Sequence, residues 1–203
     1  MFYSLLPIFG SKMKAQEILL LLHHAKTLVR QGFYEHELPK VQKFCQQNNL
    51  FIEISRFKVL LANETDFTNK GLRLSLDDPR PGMFFIYISK DEERTLRAHY
   101  YELVENHLDL GLLLGYPSCC VQFFVQNFTS KKTNLELIPT NPYTNLSQRK
   151  NDWCILSHFP CRSVCEKSVE LGKRYLQILK DEDSTMAERL LAKLDLNQKN
   201  ISK

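Results

Sequence analysis

The sequence predicts an α+β domain, a small antiparallel sheet packed on helices, with a helical C-terminal half that carries the cysteine motifs. Three observations predict it. Short β-prone runs gather at 50–54, 57–61, 72–76 and 83–88. Apolar residues at helical spacing flank that region on both sides. Two capping-box patterns, Ser89 with Glu92 and Thr185 with Glu188, mark helix starts beyond the sheet.

Taken in order, residues 14–30 read as a helix, with Ile18, Leu19, Leu22, Ala25, Leu28 and Val29 on one face and Gly32 as its stop. Residues 37–48 read as a second helix with Pro39 in its first turn and Cys45 beside Val41 and Phe44 as a small buried apolar group. After the β-prone runs, whose last two are separated by an Asp-Asp-Pro-Arg-Pro-Gly turn at 77–82, Ser89 opens a long helix that runs to Leu114 and stops at Gly115. His99, Glu102, Glu105 and His107 on this helix read as a solvated charged face rather than a metal set. A helix over 118–128 has Val121, Phe124, Val125 and Phe128 as its buried stripe. Residues 129–152 read as a long polar loop, 153–156 as a brief apolar run, and 160–180 as a helix. A last helix follows Thr185. The expected organisation is one domain over 1–196: an N-terminal helical segment (1–49), the sheet (50–89) and a helical cysteine-bearing part (90–196), then a disordered tail at 197–203.

Composition narrows the function classes. The chain has 203 residues, 43% of them hydrophobic and 25% charged, which suits one soluble globular domain. A net charge of +4 makes only a weak case for nucleic acid. No apolar run approaches the ~20 residues that a bilayer requires, so no membrane partner is expected. The apolar segment 1–10 has neither a basic start nor a small-residue cleavage site and is expected to pack on the body. The expected location is therefore cytoplasmic, where a disulfide framework does not persist. A small-molecule or protein partner stays open.

Four of the six cysteines fall in two motifs, Gly115-Tyr116-Pro117-Ser118-Cys119-Cys120 and His158-Phe159-Pro160-Cys161-Arg162-Ser163-Val164-Cys165. Each motif follows a proline that reads as a helix start, where the helix dipole favours a thiolate. Four residues apart on one helix, Cys161 and Cys165 would present two sulfurs to one point, and His158 can fold back toward it. Cys119 or Cys120 would complete a set, although vicinal side chains diverge, so that one of the two is expected to face the site. Cys119, Cys120, His158, Cys161 and Cys165 are thus candidate metal ligands, for zinc or for an iron–sulfur cluster. The spacing matches neither the Cys-x2-Cys knuckle of zinc ribbons nor that of ferredoxins. Two other readings stand beside it. One is a metal-free thiol enzyme, with Cys161 as nucleophile, His158 as base and Cys165 as resolving thiol. The other is that the thiols only fill space, in a non-catalytic interaction module docked through its apolar N-terminus. A metal-dependent enzyme follows only if the ion keeps an open coordination position.

The same residues carry a resemblance. Leu113 to Cys120 with Phe123-Phe124, and His158-Phe159-Pro160-Cys161 with Cys165-Glu166-Lys167-Ser168, resemble the uncharacterised prokaryotic, largely archaeal, domain-of-unknown-function family 483. Asn141-Pro142, residues 145–149 and the stretch Phe84 to Lys90 are similar to further segments of it, so that the likeness spans about 82–179. The family carries no assigned activity. The resemblance implies that the two cysteine motifs belong to one site, spanned by a loop bearing Asn141, Asn145 and Arg149. Two amides and a guanidinium beside thiolates are candidate binders of an anionic or amide-bearing ligand, against the plainer reading of a solvated loop.

Overall fold

Alternation along the strands decides the architecture. In a computed structural model describing residues 1–61 and 71–195, strands β1 (Leu28–Phe33), β2 (Phe51–Leu61), β3 (Gly71–Leu74) and β4 (Met83–Ser89) form one antiparallel sheet in the order β1-β4-β2-β3. Val29 pairs with Ile88, and both point with Phe33 and Ile86 into the principal core. That core is shared by α1 (Phe2–Phe9), α2 (Lys12–Leu22), α3 (Leu38–Gln47), α7 (Glu166–Glu182) and α8 (Ser184–Leu194). Leu28 and Tyr87, on the opposite pleat, meet Ala98 of α4 (Glu92–Leu103) and Leu110 of α5 (His107–Leu113). The sheet is therefore covered on both faces, as an α+β layering requires. The final helix to place is α6 (Ser118–Asn127).

Several elements differ from the sequence expectation. The helix expected over 14–30 ends at Leu22, and His24 takes a left-handed backbone (φ 58°). The amides of Ala25 and Lys26 both bond back to the Leu20 carbonyl, which closes the helix and releases 28–33 into the sheet. Leu28 and Val29, expected on one helical face, lie on opposite faces of β1, and Gly32 pairs with Phe85 inside the strand. The segment 1–49 thus contributes a strand as well as helices. The runs 50–54 and 57–61 are a single strand, β2, with a register shift between Ile54 and Lys58. There Ser55 Oγ donates to the Phe57 carbonyl (2.6 Å) and accepts from the Phe85 amide (3.0 Å), replacing ladder bonds at the irregularity.

The capping boxes are displaced by aspartates. Asp91, not Ser89, caps α4 by accepting from the Arg94 amide, while Ser89 ends β4 and donates to the Thr27 carbonyl. Asp183, not Thr185, caps α8 through the Met186 amide. A carboxylate is the stronger acceptor for an orphan N–H, which explains both choices. The long helix expected to Leu114 is two, broken at Glu105 (φ 58°), with Asn106 capping α5. Glu102 is not on a solvated face: it is buried and paired with Arg30, whose guanidinium lies 3.7 Å from the Phe85 ring centre. On α6, Val121 is buried but Val125 is exposed.

The expected polar loop 129–152 is irregular yet holds its own small core. Leu135 and Leu146 join Cys154 and Phe159 against Phe124, Phe128 and Met13. Its end is fastened by Asp152, which caps α2 by accepting from Ser11 Oγ and from the amides of Lys12 and Met13. Among the described residues no helix is long and apolar enough to cross a membrane. The tail expected at 197–203 lies outside the described residues.

Candidate metal centre

Two tight packing features bring the first motif into position. A Cβ on Gly111 of α5 would meet both methyls of Val121 at 2.9 Å, so α5 and α6 approach at a distance that only glycine permits. Gly115 then adopts a left-handed backbone (φ 78°), and Pro117 opens α6. Cys119 and Cys120 fall in the first turn of that helix.

The second motif is a turn, not the start of a helix. The helix expected from Pro160 begins at Glu166, with Cys165 as its N-cap residue. Cys161 and Cys165 therefore converge through a tight turn, closed by the Cys165 amide on the Arg162 carbonyl (3.0 Å), rather than through helical spacing. The turn is clamped from the long loop. Asn141 Nδ2 (2.7 Å) and Thr144 Oγ1 (2.5 Å) both donate to the Ser163 carbonyl.

The four sulfurs lie within 4.8 Å of one another. Cys120 Sγ is 3.9 Å from Cys119 Sγ and 3.7 Å from Cys165 Sγ, and Cys119 Sγ is 3.8 Å from Cys165 Sγ. Both vicinal cysteines face the centre, against the expectation that only one would. Their directions differ by about 100° around α6, and the centre lies between the two directions. Cys120 and Cys165 are buried, whereas Cys119 and Cys161 are half-buried, so the centre has an inner and an outer side. This geometry is compatible with binding a metal ion.

The electrostatics are those of crowded thiols. Burial pushes the Cys120 thiol up, against the pull of hydrogen bonds from Ser168 and the Cys161 amide. Burial and the neighbouring thiols of Cys165 and Cys119 push Cys161 up to about 11. Burial acts in the same sense on Cys165, but hydrogen bonds from Ser168 and from Cys120 and Cys161 outweigh it and bring it down to about 7. The most acidic of these three thiols is the helix cap, not Cys161. A bound cation would override all of these values, because it deprotonates a coordinated thiol.

His158 lies on the inner side. Its Nε2 is 2.9 Å from Ser168 Oγ, which in turn is 3.2 Å from Cys120 Sγ. Burial, then the charges of Lys26 and Arg149, push its pKa down to about 3, so the ring is neutral. Tyr116 stacks obliquely on it, with ring centres 4.9 Å apart, and the Tyr116 hydroxyl is 3.2 Å from Ser157 Oγ. Ser157 also accepts from Lys26 Nζ, the buried partner of Glu17.

The proposed ligand-binding trio on the loop sits as follows. Asn141 holds the Ser163 carbonyl and, through its side-chain oxygen, the amides of Tyr143 and Thr144. Asn145 is buried and donates to the Leu194 carbonyl at the end of α8. The Arg149 guanidinium lies 5.4 Å from the Phe159 ring centre. The two asparagine side chains thus fasten backbone on either side of the loop. Sequence reasoning missed Ser168 and Thr144. Ser168 was within reach, since it lies three residues after Cys165 and therefore on the same side of α7. Thr144 carried no signal, because its role depends on how an irregular loop folds. Comparison of the chain with protein-family models, with curated proteins and with solved structures finds no match.

Proposed function

We propose that this protein binds a single zinc ion through Cys119, Cys120, Cys161 and Cys165, and that the ion is structural, with His158 behind the ligands. One observation carries the reading: the three sulfur separations of 3.7, 3.8 and 3.9 Å. A tetrahedron whose corners lie ~2.3 Å from a central zinc has edges of ~3.8 Å. An iron–sulfur cluster of four irons binds each thiolate through a different iron, which spreads the sulfurs to ~6 Å and does not suit this spacing. Four thiolates close the coordination sphere, which is the arrangement of structural rather than catalytic zinc.

A metal-free thiol enzyme has one observation in its favour, the acidity of Cys165. Against it, His158 faces Ser168 rather than a thiol that it would deprotonate. A zinc tetrathiolate needs reduced cysteines, which supports a cytoplasmic location. The test is Cys161→Ser. Bound zinc and thermal stability are expected to fall together, because binding energy at such a site is folding energy. Full zinc occupancy in that variant would overturn the assignment.

A further inference from the structure

Three groups behind the sulfurs line up in one direction. Besides the other sulfurs, Cys120 Sγ, 2% exposed as a residue, has two neighbours able to donate to it: the Cys161 amide at 3.3 Å and Ser168 Oγ at 3.2 Å. Ser168 is 0% exposed and has one hydroxyl proton, and besides Cys120 its side chain bonds with Cys165, the other buried sulfur, and with His158 Nε2 at 2.9 Å. That proton goes either outward to a sulfur or inward to the imidazole. A metal-bound thiolate has no proton and only accepts, and hydrogen bonds to an anion are the stronger ones.

We propose that Ser168 and His158 are positioning residues of the metal centre, forming a directed relay, His158 Nε2–H to Ser168 Oγ–H to Cys120 Sγ, that the bound metal locks. This rests on the zinc reading above. With zinc in place, Cys120 accepts from Ser168, Ser168 has only its lone pairs left for the ring, and His158 must carry its proton on Nε2. The relay drains charge from one of the two buried sulfurs, while the outer ligands, Cys119 and Cys161, are half-exposed and solvated directly. Outer hydrogen bonds of this kind orient metal ligands and tune their basicity. Packing alone would demand neither the tautomer nor the donor at Nε2.

The test uses the intact protein loaded with zinc and labelled with nitrogen-15 in histidine. The expected result is a His158 Nε2 that carries a proton. A bare Nε2 in zinc-loaded protein overturns the relay while leaving the zinc site standing, and a protein that takes up no zinc overturns both. Variants extend the test by competition with a chromophoric chelator. Ser168→Ala and His158→Phe are expected to bind zinc 10- to 100-fold more weakly. His158→Gln, which keeps an N–H donor at the same reach, is expected to recover most of that loss. Unchanged affinity in Ser168→Ala, or equal losses in His158→Gln and His158→Phe, would contradict the relay.

Discussion

Lys26 and Glu17 place opposite charges together inside the protein, with side chains 1% and 8% exposed and 2.6 Å between Nζ and Oε1. Burial raises the Glu17 pKa, but the Lys26 ammonium and hydrogen bonds from Lys26, Ser157 and Gln31 more than offset it, so the pKa stands below its usual value. A depressed carboxylate stabilises the fold above its ordinary pKa, and that contribution is lost as the pH falls through the folded value. Lys26→Met would leave Glu17 buried without its cation, held only by Ser157 and Gln31, at a cost of about 3–5 kcal/mol in denaturant unfolding at neutral pH. The sign of the pH dependence then reverses. A lone buried Glu17 has a raised pKa, so acidification toward pH 5 should narrow the gap between variant and wild type. A gap that widens on acidification would contradict the pairing. At the same scale, Cys45 and Cys154 are 0% and 1% exposed, and burial pushes both thiols up to about 12. Iodoacetamide should leave both unmodified in the folded protein while labelling Cys119 after chelation. Mass spectrometry that found Cys45 labelled as fast as Cys119 would refute this. The sequence made Cys45 legible, since it shares a helical face with Val41 and Phe44. It concealed the Lys26–Glu17 pair, whose members belong to different elements and meet only because His24 reverses the chain.

At the scale of elements, the position of α6 depends on contact with α5. Gly111→Ala would drive a methyl into Val121, an overpacking that costs about 1–3 kcal/mol, and it should weaken zinc retention because α6 carries two of the proposed ligands. Adding Val121→Ala to that variant should restore both, measured by unfolding and by zinc release to a chelator. If Gly111→Ala left both properties unchanged, α5 would not be what holds α6. The β-prone runs were readable from their β-branched and aromatic residues and from the turn residues at 77–82. Residues 28–33 were not, because the adjacent apolar pair Leu28–Val29 continues a helical stripe as well as it starts a strand buried on both faces. The break at Glu105 was equally hidden: neither a proline nor a glycine marks it. The starts of α4 and α8 were found to within two residues, but their caps were misassigned where an aspartate lay beside the expected residue.

For the whole molecule, a zinc ion bound as proposed would tie the first turn of α6 to the turn before α7 and so close a loop of roughly forty residues, the kind of link that gains most from a cross-link. The convergence of the two motifs was legible from their composition, and the reason for it was not: the helical spacing expected for Cys161 and Cys165 gives way to a turn held by Asn141 and Thr144. Chelation should therefore raise amide exchange first in residues 141–165 while β4, the inner strand paired with both β1 and β2, stays protected. Uniform loss of protection across both regions would show that the centre is not a separable support. The most direct test of the central claim is X-ray absorption at the zinc edge on anaerobically purified protein, together with metal analysis. The account predicts one zinc per chain with four sulfur neighbours at ~2.3 Å. Iron with an iron–iron distance, fewer than three sulfurs on the zinc, or four free thiols and no metal would contradict it.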